Sequence, residues 1–378
     1  MPGHHDGAPV EAQSGTVLMV FELSKSSWRI GVVRPGGQKM SRHALDGGDT
    51  AALEALIGRL RVEAPDARMV SAYEAGLDGF WLHRWLVARG LDNRVLDPAS
   101  IQVNRRARRA KTDRLDLDIL MRTLAALERG EPRVCSVCRP PSAEHEDARR
   151  LTRERGRLVR ERTAHITRLK ALLIGQGVRG LEPLSRSFRD DLATARTGDG
   201  VALPPNLTAE LIREHDRLGL VVRQIDQLEA AAKAEAQAPQ LAPLAAKTVQ
   251  LTRLKGIGPI SAAPLAREVF YRRFDNRRQV AAYFGLDGSP FNSGASRREQ
   301  GISKAGNPRA RTLAIELAWL WLRHQPNSDL SRWFVARVGE AKGRVRRIAI
   351  AALARKLMVA LWRYLETGVV PNGAVLRA

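Results

Sequence analysis

Residues 17–33 read VLMVFELSKSSWRIGVV, and this stretch decides the fold of the first part of the chain. Its two ends are apolar and rich in β-branched residues, while the middle, LSKSS, is small and polar. The run therefore predicts two strands joined by a turn. Glu22 would interrupt the first strand, because an ionised carboxylate in an apolar strand is costly unless a cation balances it. A metal ligand and a strand-edge residue facing water are both compatible with that position.

Working outward, residues 50–64 place Leu53, Leu56, Ile57 and Leu60 on one helical face. Residues 68–73 read as a strand leading into Glu74, residues 79–89 as another helix, and Val95 and Leu96 as a short third strand. This alternation predicts an α/β layer with a mixed sheet over residues 16–140. Residues 1–15, polar and rich in Gly and His, are expected to be a disordered lead-in. After the third strand comes a basic segment, 104–111, which contributes Arg105, Arg106, Arg109 and Lys111 as candidate nucleic-acid contacts.

Four acids stand out around this layer. Glu74 would lie beside Glu22 if their strands are neighbours. In AKTDRLDLDIL, Asp113 and Asp116 stand at i and i+3 on one helical face, whereas Asp118 falls on another and is expected to be solvated. Hard cations such as Mg²⁺ or Mn²⁺ take oxygen ligands, and paired ions clamp the attacking and leaving oxygens of a phosphodiester. An acid pair at i, i+3 is usually just exposed; two strand-end acids in a basic chain add weight to the metal reading.

Residues 141–245 change character to long charged helices. Leu151, Leu158, Ile166, Leu169 and Leu173 recur at helical spacing, as do Leu211, Leu218, Val222, Ile225 and Leu228. An antiparallel helical hairpin or a coiled-coil dimer is expected, with an ordinary helical linker as the plainer alternative. Residues 246–378 read as a compact, mostly helical domain ending in an amphipathic helix at 345–365 that Gly368 and Pro371 terminate.

Within that domain, LTRLKGIGPISAAPLAREV fits a helix-hairpin-helix. Gly256 and Gly258 allow a tight turn whose amides approach a phosphate, and Ala262 and Ala263 allow close helix packing. The next stretch sets Ser289, Ser293, Ser296 and Ser303 among Arg297, Arg298, Lys304, Arg309 and Arg311. A serine amid cations could attack a phosphodiester, because positive charge stabilises the charge building on the phosphoryl oxygens. A phosphate-binding Gly/Ser loop is the alternative.

Composition sets the partner class. The chain has 378 residues, and 62 Lys plus Arg against 40 Asp plus Glu leave a formal charge of +22, which attracts a polyanion. No apolar run approaches the roughly 20 residues of a spanning helix, and no signal-peptide pattern is present, so a cytoplasmic, nucleoid-associated protein with no membrane partner is expected. Cys135 and Cys138 form a lone C-x-x-C without the second ligand pair of a structural zinc site, and read as reduced thiols in a linker.

FELSKSS followed by Glu74, then AKTDRLDLDIL, then KGIGPISAAPLAREV through RFDNRRQVAAYFGLDGSPFNSG to ISKAGNPRARTLA carry a resemblance over residues 17–365. The chain resembles the insertion-sequence transposases with an N-terminal DEDD, RuvC-like (RNase H-like) domain and a C-terminal serine domain, the bridge-RNA-guided recombinases. The resemblance implies that Glu22, Glu74, Asp113 and Asp116 bind divalent metal and that Ser293, before Gly294, attacks DNA to form a phosphoserine link. It also implies a structured noncoding RNA that selects donor and target DNA, and a homo-oligomer, dimer or tetramer. In two places the chain departs from the family: Glu22 stands where Asp is usual, one methylene longer, and Gly288 where Pro is expected. A RuvC-like junction resolvase without a covalent intermediate and a non-catalytic nucleic-acid-binding protein are the competing readings.

Overall fold

The apolar run at 17–33 folds as β1 (Thr16–Leu23) and β2 (Ser27–Val33), an antiparallel hairpin. Its turn closes when Ser24 Oγ accepts the Ser27 amide at 3.1 Å and donates to the Ser27 carbonyl at 2.7 Å. The computed structural model describes residues 15–101, 113–132, 134–237, 243–293 and 296–377, with the backbone alone for 113–115, 290–293 and 296–300. The expected lead-in, 1–15, except for Gly15, and the basic segment with Arg105, Arg106, Arg109 and Lys111 lie outside the described residues.

Contrary to expectation, β1 is not interrupted at Glu22. Backbone pairing of Phe21 with Ile30 and of Leu23 with Trp28 carries the strand through it, and Glu22 sits half-buried near the strand end. β3 (Ser41–Asp46) adds antiparallel to β2. Its burial alternates only between half-buried and exposed, so the sequence SRHALD carried no apolar period by which to recognise it.

α1 (Thr50–Glu63) starts where Asp49 accepts the Ala52 amide at 2.9 Å, and it buries the four residues read from its periodicity. β4 (Arg68–Glu74), α2 (Trp81–Ala88) and β5 (Asp92–Leu96) follow, and the sheet runs β3-β2-β1-β4-β5 with β4 parallel to β1 and β5 parallel to β4. Strand alternation sorts the two faces. Val17, Met19 and Phe21 pack with Leu53, Leu56, Leu82 and Leu86 of α1 and α2. Leu18 and Val20 pack with Leu117, Leu120, Met121 and Leu124 of α3 (Asp113–Glu128).

The C-x-x-C segment is no loose linker. Val137 bridges Leu96, and the Cys138 amide donates to Val95 at 2.7 Å, so the segment lies along β5 with both cysteines half-buried and in no disulfide. Burial pushes the Cys135 thiol up.

Residues 1–142 and 143–378 form two compact units. In the second, α4 (Ala143–Ile174) and α6 (Pro205–Ala236), of 32 residues each, pair antiparallel. The direction follows from the contacts: Arg155 meets Glu229 at 2.6 Å, His165 meets Glu214 at 2.8 Å and Arg168 meets Glu210 at 2.6 Å. Of the two arrangements open to these helices, the chain itself forms the hairpin. Its tip is closed by α5 (Phe188–Thr194), whose Phe188 and Leu192 pack with Leu169, Leu173 and Leu211.

Beyond it, α7 (Pro243–Thr252) turns into α8 (Pro259–Pro264), which continues as one π turn at Leu265–Val269. α9 (Arg277–Phe284), the ribbon of β6 (Gly288–Ser293) and β7 (Ser296–Ile302), α10 (Pro308–His324), α11 (Asp329–Val338) and α12 (Arg344–Thr367) complete the unit. Leu317, Trp321, Leu353, Leu357 and Leu361 form its centre, and Gly368 ends α12 in the left-handed conformation. The ribbon is a departure from the loop expected around the serines: GSPFNS and SRREQGI are polar and lack the apolar alternation that marks a half-buried strand.

Candidate functional site

Sheet register brings the two strand acids together. β1 pairs parallel with β4 up to Phe21 opposite Tyr73, so Glu22 and Glu74 occupy the next positions on neighbouring strands. Alternation then places both in line with Leu18, Val20, Val70 and Ala72, the residues under α3.

The ion pairs of α3 give its direction. Near its end, Glu128 takes Arg68 at 2.8 Å and Arg94 at 2.6 Å, and Arg68 begins β4. Two turns and more upstream, Asp118 takes Arg42 at 2.7 Å, on the rung shared by Gly31 and Val20. The helix thus runs against β1 and β4, and its first turn, with Asp113 and Asp116, comes to the strand ends that carry Glu22 and Glu74. Asp118 is therefore not simply solvated, as expected from its face, but half-buried and paired to β3.

The four acids thus share one end of the sheet at the level of the backbone. Oε2 of Glu22 is withdrawn from solvent, Asp116 is half-buried and Glu74 is exposed. Among the described residues no three His, Cys, Asp or Glu side chains stand close enough to share a metal ion, and the Asp113 side chain lies outside them. The end of β4 is held by Tyr73, whose hydroxyl donates to the Gly79 carbonyl at 2.9 Å and accepts the His83 amide at 3.2 Å. Burial pushes this phenol up to about 12, so it stays protonated.

In the second unit, Gly256 has φ +92°, and a Cβ there would meet the His324 Cβ at 2.7 Å, so the turn between α7 and α8 requires glycine. Gly258 caps α8 with φ −92° and open space around it, so only one of the two glycines is demanded by the turn. Ala262 and Ala263 are buried, as close helix packing requires.

The serine ribbon is anchored at its base by two loops. Gly285 ends α9 in the left-handed conformation, and Gly306 packs so tightly on it that a Cβ would run into the Tyr283 carbonyl. Ser303 Oγ donates to Asp287 Oδ1 at 2.5 Å, and Asn307 caps α10 by accepting the Arg309 amide at 3.0 Å. Ser293 ends β6 opposite Ser296, and Arg297 and Arg298 face Asn292 and Phe291 across the ribbon; these side chains lie outside the described residues. Ser289 is half-buried; Lys304, with φ +57°, and Arg309 are exposed. Arg311 donates Nη1 to the Phe284 carbonyl at 3.3 Å and so also holds the end of α9.

One basic surface went unread in the sequence. AKGRVRR at 341–347 leads into α12 with Lys342, Arg344, Arg346 and Arg347 exposed, and Arg346 lies 5.1 Å from the centre of the Trp319 ring. The charge run was visible, but the helical period that follows it drew the reading to the apolar face. Among the described residues no helix is long and apolar enough to cross a membrane.

Comparison with known proteins places both units. A family model described as Transposase IS116/IS110/IS902 family matches residues 249–331, and a DEDD-type model described as Transposase matches residues 22–176. A Sinorhizobium fredii relative that carries a transposase name, y4rJ, is 49% identical over 377 residues, covering 96% of this chain and 95% of that protein. The transposase for insertion sequence element IS1111A of Coxiella burnetii is 30% identical over 234 residues, 59% of this chain and 60% of its own length. With near full-length coverage by one relative and two transposase models matched along the chain, the chain belongs to the IS116/IS110/IS902 family of transposases.

Proposed function

We propose that this transposase cuts and rejoins the DNA of an insertion sequence through a serine-phosphate link at Ser293, with Glu22, Glu74, Asp113 and Asp116 as the metal-binding tetrad of a RuvC-like domain. The observation that carries the reading is the meeting of Glu22, Glu74 and the first turn of α3 at one end of the sheet. All four are oxygen donors, a set suited to a hard divalent cation, and an otherwise apolar strand end accommodates Glu22 best when a cation is near. Mg²⁺ or Mn²⁺ held there would supply positive charge to a phosphate undergoing displacement.

In the strand-transfer step the Ser293 hydroxyl oxygen bonds to phosphorus, its proton passes to a base, and a sugar oxygen leaves carrying the bonding electrons. Attack by a sugar hydroxyl on the phosphoserine reverses the step and returns the serine. One phosphoester replaces another, so rejoining needs no external energy source. Gly256, Gly258, Arg297, Arg298, Lys304, Arg309 and the 104–111 segment hold the DNA backbone, a noncoding bridge RNA selects donor and target, and a homo-oligomer brings carboxylates and serine to one DNA.

The test is incubation of the purified chain with flanking-element RNA, Mg²⁺ and end-labelled donor DNA, followed by a denaturing gel. A protein-linked DNA species lost in Ser293→Ala is expected. Metal-dependent cleavage with no linked species would instead favour hydrolysis by a junction resolvase, the reading that uses the carboxylates alone.

A further inference from the structure

A cavity of about 500 Å³ lies between α4, α6, α8 and α10 of the second unit. Part of its wall is aliphatic, including Leu228 and Leu313, and five arginines outnumber three glutamates around it. Three of those arginines are matched: Arg153 by Glu268 at 2.6 Å, Arg155 by Glu229 at 2.6 Å, and Arg267 by Glu235. Arg160, Arg309 and Glu316, by contrast, make no ion pair among the described residues, so two cations stand against one carboxylate and the space keeps a net positive charge.

Arg267 adds an independent sign of a ligand. It sits in the π turn, is only 3% exposed, lines the cavity, and leaves Nε and Nη1 without an acceptor among the described residues. Buried donors without acceptors are costly, and an entering acceptor removes that cost. Single π turns recur at functional sites because they redirect side chains within a helix.

We propose that this cavity receives one unstacked nucleotide of the nucleic-acid strand, its base against the aliphatic wall and its phosphate against Arg160 and Arg309. The size falls within the range of about 300–1,000 Å³ typical of small-ligand sites. An unpaired base enters with little penalty, whereas a paired one must first be extruded, so the cavity favours single-stranded or bulged nucleic acid over a continuous duplex. The inference rests on the chain acting on nucleic acid and is independent of serine linkage.

Gly156 lines the cavity from within α4 and has open space where a Cβ would stand, so Gly156→Leu fills the cavity while favouring the helix. Full-length parent, Gly156→Leu and Arg160→Ala are titrated with a mixed-sequence single-stranded oligonucleotide, its blunt duplex, and a duplex carrying one unpaired 2-aminopurine, with melting temperatures recorded alongside. Both variants are expected to lose at least about tenfold in single-strand affinity, with duplex affinity within about twofold of parent. The 2-aminopurine emission is expected to rise on binding parent only. Equal losses on single strand and duplex, or no loss on either, would overturn the proposal. These titrations read non-covalent binding alone and need no linkage at Ser293, which separates failure of the cavity from failure of the serine mechanism.

Discussion

Two residues apart on α3, Asp116 and Asp118 have different work. Asp118 is paired with Arg42 of β3 at 2.7 Å, with both side chains about a third exposed, and so ties helix to sheet. Asp116 lies one turn after Asp113 on the face that comes to Glu22 and Glu74. Asp118→Asn is expected to leave DNA cleavage intact and lower stability by about 0.5–1 kcal/mol, the scale of a partly exposed pair, read from denaturant midpoints. Asp116→Asn is expected to abolish cleavage with little change in midpoint. If Asp118→Asn were the inactive variant, the assignment of the tetrad along α3 would be wrong.

The α4–α6 hairpin is an element whose stability responds to pH. Glu214, 5% exposed, is raised by burial, but hydrogen bonds from His165 Nδ1 at 2.8 Å and Arg217 Nη1 at 2.8 Å outweigh this and hold its carboxyl below the usual carboxylate range. Because the folded value is depressed, the stabilisation is present above the unfolded value of about 4.3 and is lost as pH falls through the folded value. Glu214→Gln should therefore melt below parent near neutral pH, and the two melting curves should converge as the pH drops towards 3. A gap that widened on acidification would reverse the sign and exclude Glu214 as the group responsible. The hairpin joins the C-terminal helices by the same kind of contact, Arg153 on the buried Glu268 of the π turn.

For the molecule as a whole, the charge of +22 predicts that DNA binding falls steeply with salt, because each neutralised phosphate releases counterions. Replacing one phosphate-contacting cation outside the cavity, such as Lys304→Gln, is expected to lower the slope of log affinity against log salt by about 0.9 on duplex DNA, to a similar extent on unrelated sequences. An unchanged slope would remove Lys304 from the phosphate contacts.

Legibility followed burial. β1, β2 and β4 were readable as short apolar, β-branched runs because the sheet is covered on both faces, and α1 and α12 because each buries one regular face, which writes a period of 3.6 into the sequence. β3 and the β6–β7 ribbon were not, since strands without a buried apolar face leave no such signal. The acids at 22, 74, 113 and 116 could be named from local pattern, as could the turn at Gly256. Their meeting at one end of the sheet could not, because strand order, parallel register and the direction of α3 are long-range choices made by packing and by the pairs Arg42–Asp118 and Arg68–Glu128. Likewise, the charge that marks a nucleic-acid partner is a sum over residues and needs no fold. A cavity with Arg267 buried beside it depends on four helices from distant parts of the chain coming together, and no local stretch of sequence encodes that.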